Sequence, residues 1–289
     1  MMSSSCASAV GLSKAQCASA SYSYTLIVAW IALSALLILF NKWLLTDYQF
    51  AFPVTLTMMH MVFCFTLSAI LISLDFVPAV KMTRPVFLRQ IVPIGALFAG
   101  TLYCGNAAYL HLSVSFLQML KALMPTATYA CGVLYGLEKP SSRTISIMVV
   151  ITVGVMIASY GELQFVWTGV ILQLIGIATE SNRIVLIQRL MQDTGIKMNP
   201  IQSMYYICPI CFLFLIPLYF IFEHKRLTSQ YTIYFLTEYN ASLLFSMNMF
   251  VAFGLNVSVY LLVGNTSALT MNIAGANSLS NLKTDLFEY

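Results

Sequence analysis

The sequence predicts an all-α membrane protein, a polytopic helix bundle with eight full spans and a partial ninth. Three observations predict it. Of the 289 residues, 60% are hydrophobic and 8% are charged, whereas soluble domains carry roughly 25% charge. Mean hydropathy is +0.84. Runs of about 20 apolar residues, the length that crosses ~30 Å of hydrocarbon, recur between short polar joints. The net charge of +4 is small and dispersed, with no basic block and no aromatic-interleaved basic face, which excludes a nucleic-acid partner.

Residues 1–23 are rich in Ser, Ala and Cys, carry Lys14 as their one charge and read as a polar tail. The tail is too short and too poor in arginine for an organelle transit peptide. A transmembrane domain is expected over 24–276, with spans at 24–45, 53–75, 90–110, 113–137, 144–160, 164–189, 200–222 and 241–263. The first ends in Asn41-Lys42-Trp43 with no small-residue cleavage site, so it is a retained helix rather than a signal peptide. A ninth run begins at Thr266 but turns polar at Asn277, leaving a divergent polar tail over 277–289. With the amino terminus in the cytosol, that face receives Lys14, Lys81, Arg84, Arg89, Lys139, Arg143, Arg189 and Lys197, and the other receives Lys42, Lys225 and Arg226. Cytoplasmic loops carry the excess of Lys and Arg, so the amino terminus is placed in the cytosol.

An internal echo divides the domain. Asn106 followed by Ser115-x-x-Gln118-Met119 in the third and fourth spans is repeated as Asn256 followed by Ser267-x-x-Thr270-Met271 in the eighth and ninth. Five helices separate the copies, and an odd offset reverses orientation, giving a first repeat over about 24–160 and an incomplete inverted second repeat over about 164–276.

Lys121 is the residue that asks for a function, since 112–137 is otherwise uncharged. A lysine at a helix centre costs about 2.5 to 3.5 kcal/mol on insertion scales. Pro125 four residues later has no N–H, so the Lys121 carbonyl loses its helical partner and a kink is expected there. An anionic ligand suits such a site; the alternative is a lysine satisfied by a buried carboxylate or by carbonyls. Gln118 shares its face and can meet substrate oxygens, and Asn106, Tyr109, Asn256 and Tyr260 can line a cavity or join helices. Glu180 and Arg183, three apart in the sixth span, either bind ligand or form a structural ion pair. His60 reads as a hydrogen-bonded core histidine. Cys208-Pro209-Ile210-Cys211 reads as packing, Gly132-x-x-x-Gly136 as a close helix approach, and Asn240-Ala241-Ser242 as a glycosylation sequon. No metal cluster, cofactor loop or nucleophile elbow is present in the sequence, so no metal, no cofactor and no enzyme activity are expected.

The stretches NKWLLTDYQFAFPVTLTMMH, LSVSFLQMLKALMP, YGELQFVWTGVILQL and TSALTMNIAG resemble the plant sugar-phosphate/phosphate translocators of the triose-phosphate translocator family, in the drug/metabolite transporter superfamily. The resemblance runs from about Tyr24 to Gly275. It implies ten helices in two inverted five-helix halves, and antiport of a phosphorylated sugar against inorganic phosphate by alternating access. It also implies that Lys121 contacts substrate phosphate; beside it, the reading of the residues themselves takes Gln118, Asn106 and Thr270 as further substrate-binding positions. Two departures stand out. The family's Gly-Lys-Thr-Ser is Gly264-Asn265-Thr266-Ser267 here, and past Gly275 the resemblance stops, with Ser278 where a second basic site is expected. The expected partners are a sugar phosphate, inorganic phosphate and the lipid bilayer, with a homodimer left open. The expected membrane is the Golgi or another endomembrane, the plastid envelope being the alternative. Two other functions remain, a non-transporting isoform that partners full-length subunits and a nucleotide-sugar transporter.

Overall fold

A computed structural model describes residues 14–48, 50, 52–78, 82–160, 165–192, 198–227, 239–265 and 269, with side chains from Thr25 onward except at 46, 109, 114, 239, 240 and 265. Thr270, the ninth run and the tail at 277–289 lie outside the described residues, as does residue 1–13 of the amino-terminal tail. Every regular element among the described residues is helical: α1 (Lys14–Thr46), α2 (Pro53–Ser73), α3 (Val92–Tyr109), α4 (Val114–Lys121), α5 (Met124–Leu134), α6 (Ser142–Tyr160), α7 (Trp167–Gln192), α8 (Pro200–Phe222) and α9 (Tyr239–Asn265).

Seven helices are long and apolar enough to cross a bilayer, and together they make the chain an integral membrane protein. The sequence predicts eight single spans, and the difference lies at 113–137. There the helix stops at Lys121 and restarts at Met124 instead of kinking. Pro125 supplies the cause: it sits in the first turn of α5, where a missing N–H costs nothing, and the chain between turns tightly through Ala122 N–H to Met119 O at 3.1 Å and Leu123 N–H to Leu120 O at 3.0 Å. Proline shapes α3 as well. Its lead-in, a turn at Arg84–Val86 followed by a π-helical turn at Phe87–Ile91, widens just before Pro93, which could not have donated to Arg89 in an α-helix. The helical backbone of α1 begins at Lys14, inside the stretch expected to be tail.

Packing brings distant parts of the chain together. α3 lies on α7 and α9 on α1; α2 lies on α8; α8 also touches α3, and α9 also touches α2 and α7. Gly95 permits the α3–α8 approach, since a Cβ there would meet Ile210 Cγ2 at 2.6 Å. α6 is peripheral, packing on α4 and α5 and presenting Val149, Val150, Met156 and Ile157 outward, as a lipid-facing helix does. Gly132 and Gly136 serve a turn rather than a helix crossing. Gly136 has φ +74 and ends α5, and Gly132 leaves room for the Glu138 side chain folding back.

One end of the α2–α8 pair is held by a carboxylate. Glu223, buried just after α8, accepts from Val54 N–H and Thr55 N–H at 2.7 Å and from the Thr55 hydroxyl at 2.6 Å, satisfying the free donors that open α2. The other end is held by Gln202, whose Nε2 donates to the Pro78 carbonyl at 2.7 Å.

Candidate functional site

The middle of α7 reads Thr179-Glu180-Ser181-Asn182-Arg183, five polar residues in an apolar helix, and each turns toward a different neighbour. The Thr179 hydroxyl accepts from Thr101 of α3 at 3.0 Å. The Ser181 hydroxyl accepts from Thr128 of α5 at 3.2 Å, and Asn182 Oδ1 accepts from Tyr135 of α5 at 3.3 Å. Glu180 and Arg183 form a two-pronged ion pair, Nη2 to Oε1 at 2.6 Å and Nε to Oε2 at 2.8 Å. That parallel geometry fixes the guanidinium plane and leaves its outer N–H groups free to point elsewhere.

Other elements converge on this pair. The Arg183 guanidinium lies over the Phe98 ring of α3 at 5.4 Å, and it is within electrostatic range of Tyr260 on α9 and Cys211 on α8. Thr101 is within hydrogen-bonding reach of the Glu180 carboxylate, and Lys121, at the end of α4, acts on the same carboxylate electrostatically. Residues of α3 therefore touch the ion pair on α7, and groups on α4, α8 and α9 lie within its electrostatic range.

Among the described residues Glu180 is the one carboxylate lying between helix ends; it pairs with Arg183 and lies within electrostatic range of Lys121. The Arg183 and Glu180 side chains remain 20% and 17% accessible, so the pair is not sealed in the core. A cavity of about 410 Å³ lined by Met191, Gln192, Met198, Pro200, Tyr260 and Gly264 runs from the α7–α8 end of the bundle, and Tyr260 belongs to both cavity and centre.

The structure unites Lys121, Glu180 and Arg183, three of the residues singled out in the sequence. Gln118, one turn before Lys121 in α4, is half-buried on the same helix face. Asn106 is exposed, and lies about 140° around α3 from Thr101, away from the ion pair. Thr270 falls outside the described residues. Thr101, Thr179 and Phe98 escaped sequence reasoning, because a threonine or phenylalanine in an apolar helix gives no signal of which neighbour it meets. The unbroken polar run at 179–183 was the available clue.

A second polar cluster is of another kind. His60 Nε2 meets Asn248 Oδ1 at 2.6 Å, and Asn248 Nδ2 donates to Asn41 Oδ1 at 2.8 Å, tying α2, α9 and α1 together. This is the hydrogen-bonded core histidine that the sequence suggested. Cys208 and Cys211 are buried in α8 beside Cys64, and no group of three metal-ligating side chains occurs among the described residues.

Comparison with known proteins gives these helices a lineage. Two proteins of Arabidopsis thaliana described as probable sugar phosphate/phosphate translocators are 50% identical over 258 residues and 48% identical over 256 residues, each alignment covering 88% of this chain and 72% of the relative. A more distant relative from the same plant, named UDP-uronic acid transporter 1, is 32% identical over 253 residues, 87% of this chain and 81% of its own. The family model described as the Triose-phosphate Transporter family matches residues 23–279, and this chain, an integral membrane protein of the transporter type, belongs to that family.

Proposed function

We propose that the protein is a secondary transporter that exchanges a phosphorylated sugar for inorganic phosphate by alternating access, with the phosphate bound between Lys121 and Arg183. The observation that carries this reading is the polar centre itself, the Glu180–Arg183 ion pair in the middle of α7 with Lys121 within electrostatic range. The printed descriptions of the relatives supply the substrate class.

Charge supports exchange rather than one-way flow. Without ligand the centre holds charged groups in a low-dielectric interior, so carrying them through a sealed intermediate is costly. A bound phosphate offsets part of that cost, and the loaded protein reorients more readily than the unloaded one. Lys121 meets phosphate oxygens as a mobile point charge, while Arg183, held flat by Glu180, offers directed donors. Gln118, Asn106 and Thr270 are proposed as further substrate-binding positions, Asn106 from a face of α3 turned away from the ion pair.

The packing favours two inverted halves. If α4 and α5 count as one span, each helix n of the first half corresponds to helix n+5. The α3–α7 contact then maps onto α9–α1, α3–α8 onto α9–α2, and α2–α8 onto itself. Such a pseudo-twofold axis in the membrane plane puts substrate at the boundary of the halves, where the ion pair lies. The excess of Lys and Arg on one face favours a cytosolic amino terminus, and an endomembrane such as the Golgi is the proposed location.

The test is counterflow in liposomes. Purified protein in vesicles preloaded with phosphate is expected to take up labelled phosphate, to need the internal phosphate to do so, and to be inhibited by external sugar phosphates. The UDP-uronic acid transporter among the relatives motivates a second reading, a nucleotide-sugar exchanger. Inhibition by UDP-sugars with indifference to sugar phosphates would replace the first reading with the second, and uptake independent of internal phosphate would rule out exchange.

A further inference from the structure

A second cavity, of about 440 Å³, opens where the π-helical turn before α3, the end of α5 and the last turns of α7 come together. Pro85, Val86, Pro93 and Leu186 form its apolar wall, and its polar lining is Arg89, Gln90, Tyr135 and Arg189. Among the described residues no carboxylate lines it. Arg89 is exposed and Arg189 half-buried, and neither makes an ion pair or hydrogen bond among the described residues. Two guanidiniums facing one cavity repel each other unless an anion comes between them.

Gln90 adds an independent observation. Its Oε1 is buried and has no hydrogen-bond donor, a condition native proteins rarely leave unmet. An amide oxygen only accepts, so a bare phosphate oxygen cannot satisfy it, whereas a hydroxyl can. Tyr135 spends its own proton on Asn182, which leaves its oxygen free to accept as well. The lining therefore offers donors for a phosphate on one side and acceptors for hydroxyls on the other. Arg189 lies six residues beyond Arg183, about 9 Å along α7 and facing another direction, so this cavity is separate from the polar centre.

We infer that this cavity is a second anion site that takes a phosphorylated polyol, with Arg89 and Arg189 holding the phosphate and Gln90 accepting from a hydroxyl. Two sources have that chemistry, a free sugar phosphate and the headgroup of a phosphoinositide in the adjoining leaflet. The site does not depend on how the polar centre is used.

Binding to the full chain in nanodiscs tests it, with R89Q/R189Q, Q90L and, to silence the proposed central site, K121A as variants. In phosphatidylcholine discs, labelled glucose 6-phosphate should bind K121A protein, and adding R89Q/R189Q should lower that affinity at least about tenfold. In discs containing phosphatidylinositol 4-phosphate, native mass spectrometry should show a retained lipid that R89Q/R189Q loses if the headgroup is the occupant. Either loss supports the site and says which source fills it. Q90L should weaken glucose 6-phosphate or the inositol lipid while leaving inorganic phosphate unchanged. Variants that keep the wild-type elution volume and melting temperature, yet bind both probes as wild type does, overturn the proposal. Equal loss of inorganic phosphate and of the polyol probe in Q90L overturns the role of Gln90.

Discussion

Two polar clusters sit inside the bundle, and their difference separates what holds the helices together from what the bundle is for. In the His60–Asn248–Asn41 chain each group meets a partner of matching character, no formal charge is required, and His60 and Asn248 are 7% and 0% exposed. In the centre around Glu180, a carboxylate and a guanidinium are paired with Lys121 in electrostatic range, and the pair stays near a fifth accessible. The first cluster is closed in charge and in space. The second keeps its ion pair accessible, and an interior that holds charged groups at such cost has a use for them.

The largest expected effect falls on Lys121. Lys121→Ala should lower phosphate exchange by about 100-fold, since losing a desolvated charge-assisted contact costs on the order of 2 to 5 kcal/mol, while leaving membrane insertion intact. Lys121→Arg should be impaired too, because a longer planar head does not occupy the same place. Exchange at the wild-type rate in Lys121→Ala liposomes would make the centre another structural cluster and erase the contrast.

Glu180→Gln comes next, and it probes stability and function together. Removing one partner of a buried ion pair leaves the other uncompensated, a loss of about 3 kcal/mol. The double variant Glu180→Gln/Arg183→Met should recover most of that loss in thermal melts without recovering exchange. Recovery of both would show that the pair only braces α7.

Sequence reasoning reached the fold further than the site, and the reason is range. Span positions follow from runs of apolar residues along the chain, so α2, α7, α8 and α9 start or end close to where the pattern places them. Lys121, Glu180 and Arg183 were legible for the same reason, being charges where charges are costly. The break before α5 was harder: Pro125 marks it, but whether a proline kinks a helix or begins a new one depends on the turn at Ala122 and Leu123. Thr101 facing Thr179, and Glu223 reaching across to α2, are decided by which helices become neighbours. No local pattern encodes a contact 168 residues apart.

Glu223→Gln should cost about 2 kcal/mol, the scale of hydrogen bonds to a charged group. The amide keeps one acceptor but turns an NH2 toward donors at Val54 and Thr55 that already need an acceptor. Thermal melting of the detergent-solubilised protein measures this. A loss no greater than for a surface substitution would mean that solvent replaces the carboxylate at the start of α2, and that this end of the α2–α8 pair is not anchored by it.

The smallest effect is expected at His60, and it is the sharpest test of the contrast. His60→Leu removes the group that meets Asn248 Oδ1 in a fully buried position, leaving that oxygen without a donor. Polar contacts between membrane helices are worth about 0.6 kcal/mol on average, and orphaned buried acceptors cost about 1 kcal/mol or more, so stability should fall by roughly 1 kcal/mol. Exchange per folded molecule should stay at the wild-type rate, because His60 shares no hydrogen bond with α7 and carries no charge that the anion needs. The two quantities must be measured on the same preparation, melting by tryptophan fluorescence and exchange by counterflow normalised to inserted protein. A variant that keeps its melting temperature but loses exchange would move His60 from scaffold to transport machinery. The closed cluster would then be coupled to the moving parts, and its complete set of partners would describe one state of the cycle rather than a fixed support.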